Sequence, residues 1–207
     1  MRVAVFGLGY VGCVSLGCLA QNGHQVVGVD VSQNKIDQIN NGKPTIIEKG
    51  IDEIISQAHA QGRISATNDF MDAVLNSEIS IVSVGTPSTD EGHLNLEYIY
   101  KVAQEIGQGI ARKKDFHIVA IRSTVLPGTN RKIGEIIENT SGKYRNKDFA
   151  VVSNPEFLRE GSAIKDYFHP PVTVLGSDNN DAMEKLALLY CDLPASVEKV
   201  SIEVAEL

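Results

Sequence analysis

The stretch Arg2-Val3-Ala4-Val5-Phe6-Gly7-Leu8-Gly9-Tyr10-Val11-Gly12 decides the fold. Arg2–Phe6 is a short β-branched, aromatic-ended apolar run that reads as a strand, and Tyr10–Asn22 reads as the helix that follows it. A GxGxxG means little alone, but between a strand and a helix each glycine has a task. Gly7 makes the tight turn, Gly9 lets backbone approach a pyrophosphate, and Gly12 lets helix and strand pack closely. The free N–H groups of Tyr10 and Val11 at the helix start would then receive the phosphates. Gln25–Val29 reads as a second strand, and Asp30 ends it eighteen residues past Gly12. A carboxylate there accepts hydrogen bonds from both hydroxyls of an adenosine ribose and repels a 2′-phosphate. No Arg follows Asp30 within thirty residues, so the pattern predicts NAD rather than NADP as cofactor. Lys35 stands within reach of the same ribose, although a solvated helix lysine reads equally well.

Outward from this unit, short β-rich runs alternate with longer helical patterns, the signature of βαβ units and a parallel sheet. Gln33–Asn40 reads as a helix capped by Ser32, and Ile51–Ala60 as another with Ile51, Ile54, Ile55 and Ala58 on one face. Ile79–Val84 and His117–Ile121 read as strands around a helix over Leu96–Ala111. A helix at Asn130–Glu138 leads into a strand at Phe149–Val152. The tail adds a strand at Val172–Leu175, a helix near Asp181–Tyr190 and a strand near Val197–Val200. The prediction is an α/β fold: a doubly wound, mainly parallel Rossmann-type sheet with helices on both faces. Asn154–Pro171 reads as one long polar loop, and loops of that length in compact domains are usually functional or disordered.

Composition bounds the function classes. The 207 residues are 43% apolar and 22% charged, with net charge −7 and no basic run longer than Arg112-Lys113-Lys114. That argues against nucleic-acid coating or a polybasic membrane surface. Val3–Ala20 carries no charge and follows Arg2, which superficially matches a targeting leader, but it is glycine-rich and runs on into the folding pattern. No stretch approaches the ~20 apolar residues of a spanning helix, and the expectation is a cytoplasmic protein. Three cysteines predict no disulfide framework. Cys13 and Cys18 lie on different faces of the first helix and read as packed thiols, and Cys191 has no nearby histidine to activate it. The five histidines show no metal-ligand spacing, so no metal site is expected.

Three more segments fall at strand ends, where open α/β sheets bind ligands. Gly85-Thr86-Pro87 and Ser123-Thr124 offer short hydroxyl side chains suited to phosphate and nicotinamide ribose, although each alone reads equally as a turn or cap. Asn154-Pro155-Glu156-Phe157-Leu158-Arg159-Glu160-Gly161 should aim Glu156 and Glu160 at the same crevice, where a carboxylate acts as a base or positions water. On spacing alone, a solvated acidic loop is the simpler reading of those two residues.

Taken together, these motifs resemble the nucleotide-sugar 6-dehydrogenases, the UDP-glucose/GDP-mannose dehydrogenase family. The resemblance covers the whole chain and rests on Phe6–Gly12, Gly28-Val29-Asp30, Val84–Pro87, Arg122–Thr129, Asn154–Gly161 and Val204-Ala205-Glu206. The run from Tyr10 to Ala20 and the Leu126-Pro127-Gly128-Thr129 turn are more similar to the GDP-mannose members. The family oxidises a sugar C6 alcohol to a carboxylate with two NAD, through an aldehyde captured by a cysteine and a thioester that water hydrolyses. The resemblance implies oxidation of GDP-mannose to GDP-mannuronate, with UDP-glucose oxidation or a non-catalytic NAD-binding module as the competing readings. It implies that Gly7, Gly9, Tyr10, Val11, Gly12, Asp30, Lys35, Thr86 and Thr124 hold NAD. It makes Glu156 and Thr124 catalytic, managing the hydrolytic water, and sets Phe157, Leu158, Arg159 and Glu160 against the nucleotide-sugar substrate.

In the family the thiol nucleophile and a catalytic Lys and Asn lie beyond the Ala-Glu pair matched by Ala205-Glu206. The expected organisation is therefore an NAD-binding domain over residues 1–200 and the start of a central helix over 201–207. The 207 residues are expected to bind NAD without turning over substrate. The resemblance implies a homodimer or larger for the full-length enzyme and a monomer for this chain.

Overall fold

The structure, a computed structural model, describes residues 1–89 and 92–207. Its strands are the short apolar runs of the sequence. Among the described residues they are β1 (Arg2–Phe6), β2 (Gln25–Val29), β3 (Ile64–Thr67), β4 (Ile79–Val82), β5 (His117–Ile121), β6 (Phe149–Ser153), β7 (Thr173–Gly176) and β8 (Val197–Val200). They form one sheet in the order β3-β2-β1-β4-β5-β6-β7-β8, with every pairing parallel except β6 with β7. Parallel strands covered on both faces are largely apolar, and β4, β5 and β6 are buried along their whole length.

The helices between them are α1 (Tyr10–Gln21), α2 (Gln33–Asn40), α3 (Ile51–Ala60), α4 (Phe70–Asn76), α5 (Glu97–Arg112), α6 (Thr129–Ser141), α7 (Ala163–Phe168), α8 (Asn180–Ala187) and α9 (Ile202–Ala205). Alternation along the strands builds two cores. Val3 and Val5 of β1, with Ile118 and Ala120 of β5, face α1, α3, α7 and α8. Ala4 and Phe6, with Val119 and Ile121, face α4, α5 and α6. The predicted doubly wound sheet is therefore the fold observed.

Several local expectations are corrected. β4 stops at Val82, leaving Ser83–Pro87 as a loop at the sheet's carboxyl edge. Ser32 occupies the N-cap position of α2 but its hydroxyl makes no capping bond; its N–H instead donates to Asp30 Oδ1 at 2.9 Å. The stretch read as one long loop contains α7, held by Asp166, which accepts from Ser162 Oγ at 3.0 Å and from the Arg159 guanidinium at 2.7 Å. The predicted helix to Tyr190 ends at Ala187 and finishes in a 3-10 turn over Leu188–Tyr190. β3 and α4 were not anticipated. The uncharged run Val3–Ala20 is β1, the glycine turn and most of α1, buried almost throughout.

Candidate functional site

β1 and its neighbour β4 are followed by helices on opposite faces, α1 and α5, so the sheet opens between them at its carboxyl edge. A cleft of about 540 Å³ lies there. Gly7 and Gly9 form its floor, Asp30 and Lys35 one polar end, and Val31, Phe70, Tyr98 and Val102 apolar walls. The three glycines are not equivalent. Gly7 has φ +93°, and a Cβ there would sit 2.7 Å from Ser83 O; at Gly12 a Cβ would sit 1.8 Å from Gly7 O. At Gly9 a Cβ would meet nothing within 4 Å. Gly7 and Gly12 are demanded by the protein's own packing, whereas Gly9 faces open space that a ligand backbone or phosphate can occupy.

The helix start is prepared for an anion. The first intrahelical bond runs from Cys13 N–H to Gly9 O at 2.9 Å, so the N–H groups of Tyr10, Val11 and Gly12 have no acceptor within the helix. α1 has no acidic residue in its first turn and no side-chain cap to compete. The turn is fixed from both sides at Leu8: its N–H donates to Asp30 Oδ2 at 2.7 Å, and its carbonyl accepts from Thr45 Oγ1 at 2.8 Å. Lys35 Nζ stands 3.3 Å from the same Asp30 oxygen. Sequence reasoning missed Thr45, whose partner lies 37 residues away.

Tyr10 turns its side chain away from this cleft. Its hydroxyl donates to the buried Glu48 carboxylate, and Gly161 N–H donates to both groups, at 3.2 Å and 2.8 Å. Burial, then the Glu48 hydrogen bond, push the phenol up to about 12. The side chain thus ties α1 to the 154–161 segment, and any contact of Tyr10 with phosphate falls to its N–H. Glu48 is a second residue that sequence reasoning missed.

A second cleft of about 280 Å³ opens beyond β5 and β6. It brings together Thr124, Glu156 and Phe157, with Arg122, Ala205 and Glu206 also in its lining. Thr86 Oγ1 donates to Thr124 O at 3.2 Å, joining the loops after β4 and β5. Glu156 accepts from Leu158 N–H. Leu158, Arg159 and Glu160 do not line this cleft: Leu158 packs on the core, Arg159 is bound to Asp166, and Glu160 is exposed. The Arg159 hydrogen bond is the main reason the Asp166 carboxyl titrates well below the usual range.

Beneath the cleft, Arg122 is buried and donates to Asn154 Oδ1 and Tyr190 OH, both at 3.2 Å, locking the ends of β5 and β6 together. No cysteine lines either cleft. Burial raises the Cys13 thiol and pushes Cys18 up to about 12, so neither is a ready thiolate. Among the described residues there is no cluster of three His, Cys, Asp or Glu able to hold a metal, and no helix long and apolar enough to cross a membrane.

Comparison with known proteins decides what this arrangement is. Residues 1–193 match the model of the UDP-glucose/GDP-mannose dehydrogenase family, NAD binding domain. The chain belongs to that family. GDP-mannose 6-dehydrogenase of Pseudomonas aeruginosa is 50% identical over 208 residues, covering 100% of this chain and 48% of the relative. UDP-glucose 6-dehydrogenase of Rhizobium meliloti is 41% identical over 193 residues, covering 92% of this chain and 43% of the relative. The crystal structure of a ternary complex of the Pseudomonas aeruginosa GDP-mannose dehydrogenase superposes with TM-score 0.98 at 49% identity, over 100% of this chain and 48% of that one. A UDP-glucose dehydrogenase from Pyrobaculum islandicum gives TM-score 0.94 at 35% identity, over 99% of this chain and 47% of that one. The chain thus spans about half the length of these relatives and is the family's NAD-binding domain, with NAD as its cofactor. The first cleft fits that cofactor: open space at Gly9, unpaired helix amides and a carboxylate at the far end match a pyrophosphate flanked by a ribose.

Proposed function

We propose that these 207 residues are the cofactor-holding half of a nucleotide-sugar 6-dehydrogenase that oxidises GDP-mannose to GDP-mannuronate. The observation that carries this reading is the pairing of two clefts on one sheet edge. One is built around Gly9 and Asp30 for a dinucleotide; the other presents Thr124 and Glu156 where the far end of that dinucleotide would lie. The 50% identity to a GDP-mannose enzyme over the whole chain, against 41% to a UDP-glucose enzyme, supports the mannose substrate.

In this proposal Asp30 accepts from the adenosine ribose hydroxyls while Lys35 shifts aside to the ribose oxygens. The N–H groups of Tyr10 and Val11 hold the pyrophosphate over Gly9, with Gly7 and Gly12 shaping the turn. Thr86 and Thr124 hold the nicotinamide ribose side. Bound there, NAD supplies a hydride acceptor. Glu156 takes a proton from the attacking water, and Thr124 Oγ1 helps orient that water. Phe157 supplies an apolar wall for the sugar, and Leu158, Arg159 and Glu160 act on the sugar through the shape and charge of the segment they stabilise. Residues 1–200 form the cofactor domain, and 201–207 open a central helix. The thiol nucleophile belongs to the other half of the enzyme, because Cys13 and Cys18 are buried and Cys191, though exposed, lines neither cleft. The complete enzyme is a homodimer or larger, works in the cytoplasm, and binds neither nucleic acid nor membrane.

The experiment is to join residues 1–207 to the second half of the Pseudomonas aeruginosa relative and follow NADH release. Release from GDP-mannose, reduced about 10²–10⁴-fold by Glu156→Gln, is expected of a general base. A chimera that binds NADH but oxidises neither GDP-mannose nor UDP-glucose overturns the proposal. The 207 residues alone should bind cofactor and give no sustained turnover.

A further inference from the structure

The loop carrying Thr124 runs from the end of β5 to the start of α6, and the two ends are secured differently. At the β5 end Ser123 Oγ donates to Val84 O at 2.7 Å, fastening the loop to the one that follows β4. At the α6 end the one local bond is Thr129 N–H to Leu126 O at 3.0 Å, and no local side chain caps the Gly128 and Asn130 amides. The N-cap residue is Gly128, which has no side chain to cap with, and the first turn of this 13-residue helix contains no acidic residue. The missing acceptor comes from 76 to 78 residues away. Glu206 Oε2 accepts from Gly128 N–H at 2.7 Å, and Oε1 accepts from Asn130 N–H at 2.7 Å and from Asn130 Nδ2 at 2.8 Å. Glu206 as a whole is 9% exposed.

Glu206 lines the second cleft together with Thr124 and Glu156. The segment that presents it is itself tightly seated: a Cβ at Gly176 in β7 would fall 2.4 Å from Ala205 Cβ. A negative charge on the free amides of a helix start is stabilising, and a buried carboxylate holding three N–H donors is a far firmer anchor than an exposed ion pair. Such an exposed pair exists nearby, between Arg131 and Glu203, linking the same two helices. It supplies an internal control.

We propose that Glu206 is a positioning residue: it clamps the α6 end of the 123–128 loop and so holds Thr124 against the nicotinamide end of the cofactor. This deepens the dinucleotide reading above and rests on it. The clamp acts on one end of the cofactor only, because the Asp30 end lies across the sheet with its own fastening at Leu8.

The test compares two ligands on the 207-residue chain. NADH spans both ends of the site, whereas ADP-ribose lacks the nicotinamide. Glu206→Ala and Glu206→Gln should each weaken NADH at least fivefold and leave ADP-ribose within twofold. Arg131→Ala should leave both within twofold. Gln is included because it keeps the volume and one acceptor; it separates loss of the two-oxygen clamp from loss of packing, and thermal unfolding confirms that it is folded. Equal NADH affinity in parent and folded Glu206→Gln overturns the proposal, as does equal weakening of both ligands, which marks a general loss of structure. A parent chain that binds neither ligand overturns the dinucleotide reading itself, and the clamp with it.

Discussion

Asp30 holds the glycine turn and, in the proposed function, the adenosine ribose, and replacing it by asparagine perturbs both in ways two assays read apart. In the free protein its carboxylate accepts from Leu8 N–H at 2.7 Å and Ser32 N–H at 2.9 Å, with Lys35 Nζ at 3.3 Å. A carboxylate offers about four acceptor positions. The two amides take two of them, and Lys35, its side chain 36% exposed, can move away, leaving two for a ribose cis-diol. Asparagine keeps one oxygen and gains an NH₂ that must face a donor, whichever way it turns. The chain therefore loses one charge-assisted bond to backbone, worth about 1.5–3 kcal/mol, which a urea unfolding curve reads directly. The ribose loses an acceptor of the same kind, so Asp30→Asn should weaken NADH about 10- to 150-fold in a fluorescence titration. Removing the charge also removes the repulsion of a 2′-phosphate, so the preference for NADH over NADPH should narrow. A folded Asp30→Asn protein with NADH affinity within threefold of the parent, and an unchanged preference, refutes the assignment of this carboxylate to the ribose.

Other outcomes follow from the same geometry. Gly12→Ala forces a Cβ to 1.8 Å from Gly7 O and should cost about 1–3 kcal/mol of stability through overpacking, together with cofactor binding. Gly9→Ala meets no protein atom within 4 Å, so its unfolding curve should match the parent while NADH affinity falls at least tenfold; equal loss of stability in both variants contradicts the reading. His117 is fully buried, with Nε2 2.8 Å from Ser80 Oγ and Nδ1 2.9 Å from Lys113 Nζ. Burial first, and the Lys113 charge second, hold it well below its usual pKa. The unfolded chain binds this proton more readily, so stability rises as pH approaches about 6.5 from below and falls on acidification by up to about 1.4 kcal/mol per pH unit. Urea curves from pH 4.5 to 7 should show that slope, and His117→Gln should flatten it. The Asp166 carboxylate, held low chiefly by Arg159, adds a separate loss only when the pH drops below the usual aspartate range of about 3.8.

What could be read from the chain was whatever its neighbours in sequence determine. β1, the glycine turn, α1, β2 and Asp30 lie within thirty residues, and each constrains the next, so strand, turn and helix were legible together. β3 was missed because Ile64–Thr67 is a four-residue edge strand with only two buried side chains, too short for a period to show. α4 has seven residues; its one local signal is Asp69, whose side chain accepts from Asp72 N–H as an N-cap. α7 was hidden in a polar stretch because Asp166 and Arg159 satisfy one another, so charges that read as solvated in fact hold a helix. Thr45 and Glu48, and the contacts of Glu206, were beyond reach for a different reason. Their partners Leu8, Gly161 and Gly128 are brought to them by the fold, 37, 113 and 78 residues away.

In the proposed function the two clefts divide labour along the cofactor. The Asp30 end is fastened by the backbone amides of Leu8 in the glycine turn and Ser32 at the start of α2, with Thr45 holding the turn from its other side. The Thr124 end depends on contacts made late in sequence, through Glu206.

In the proposed function this chain holds NAD in the cleft floored by Gly9. Titration of the 207 residues with NADH, following cofactor fluorescence, tests it most directly. Saturable binding below millimolar concentration, reversed by ADP-ribose and lost in Gly12→Ala, is the predicted result. No binding at millimolar NADH by a folded chain would contradict it.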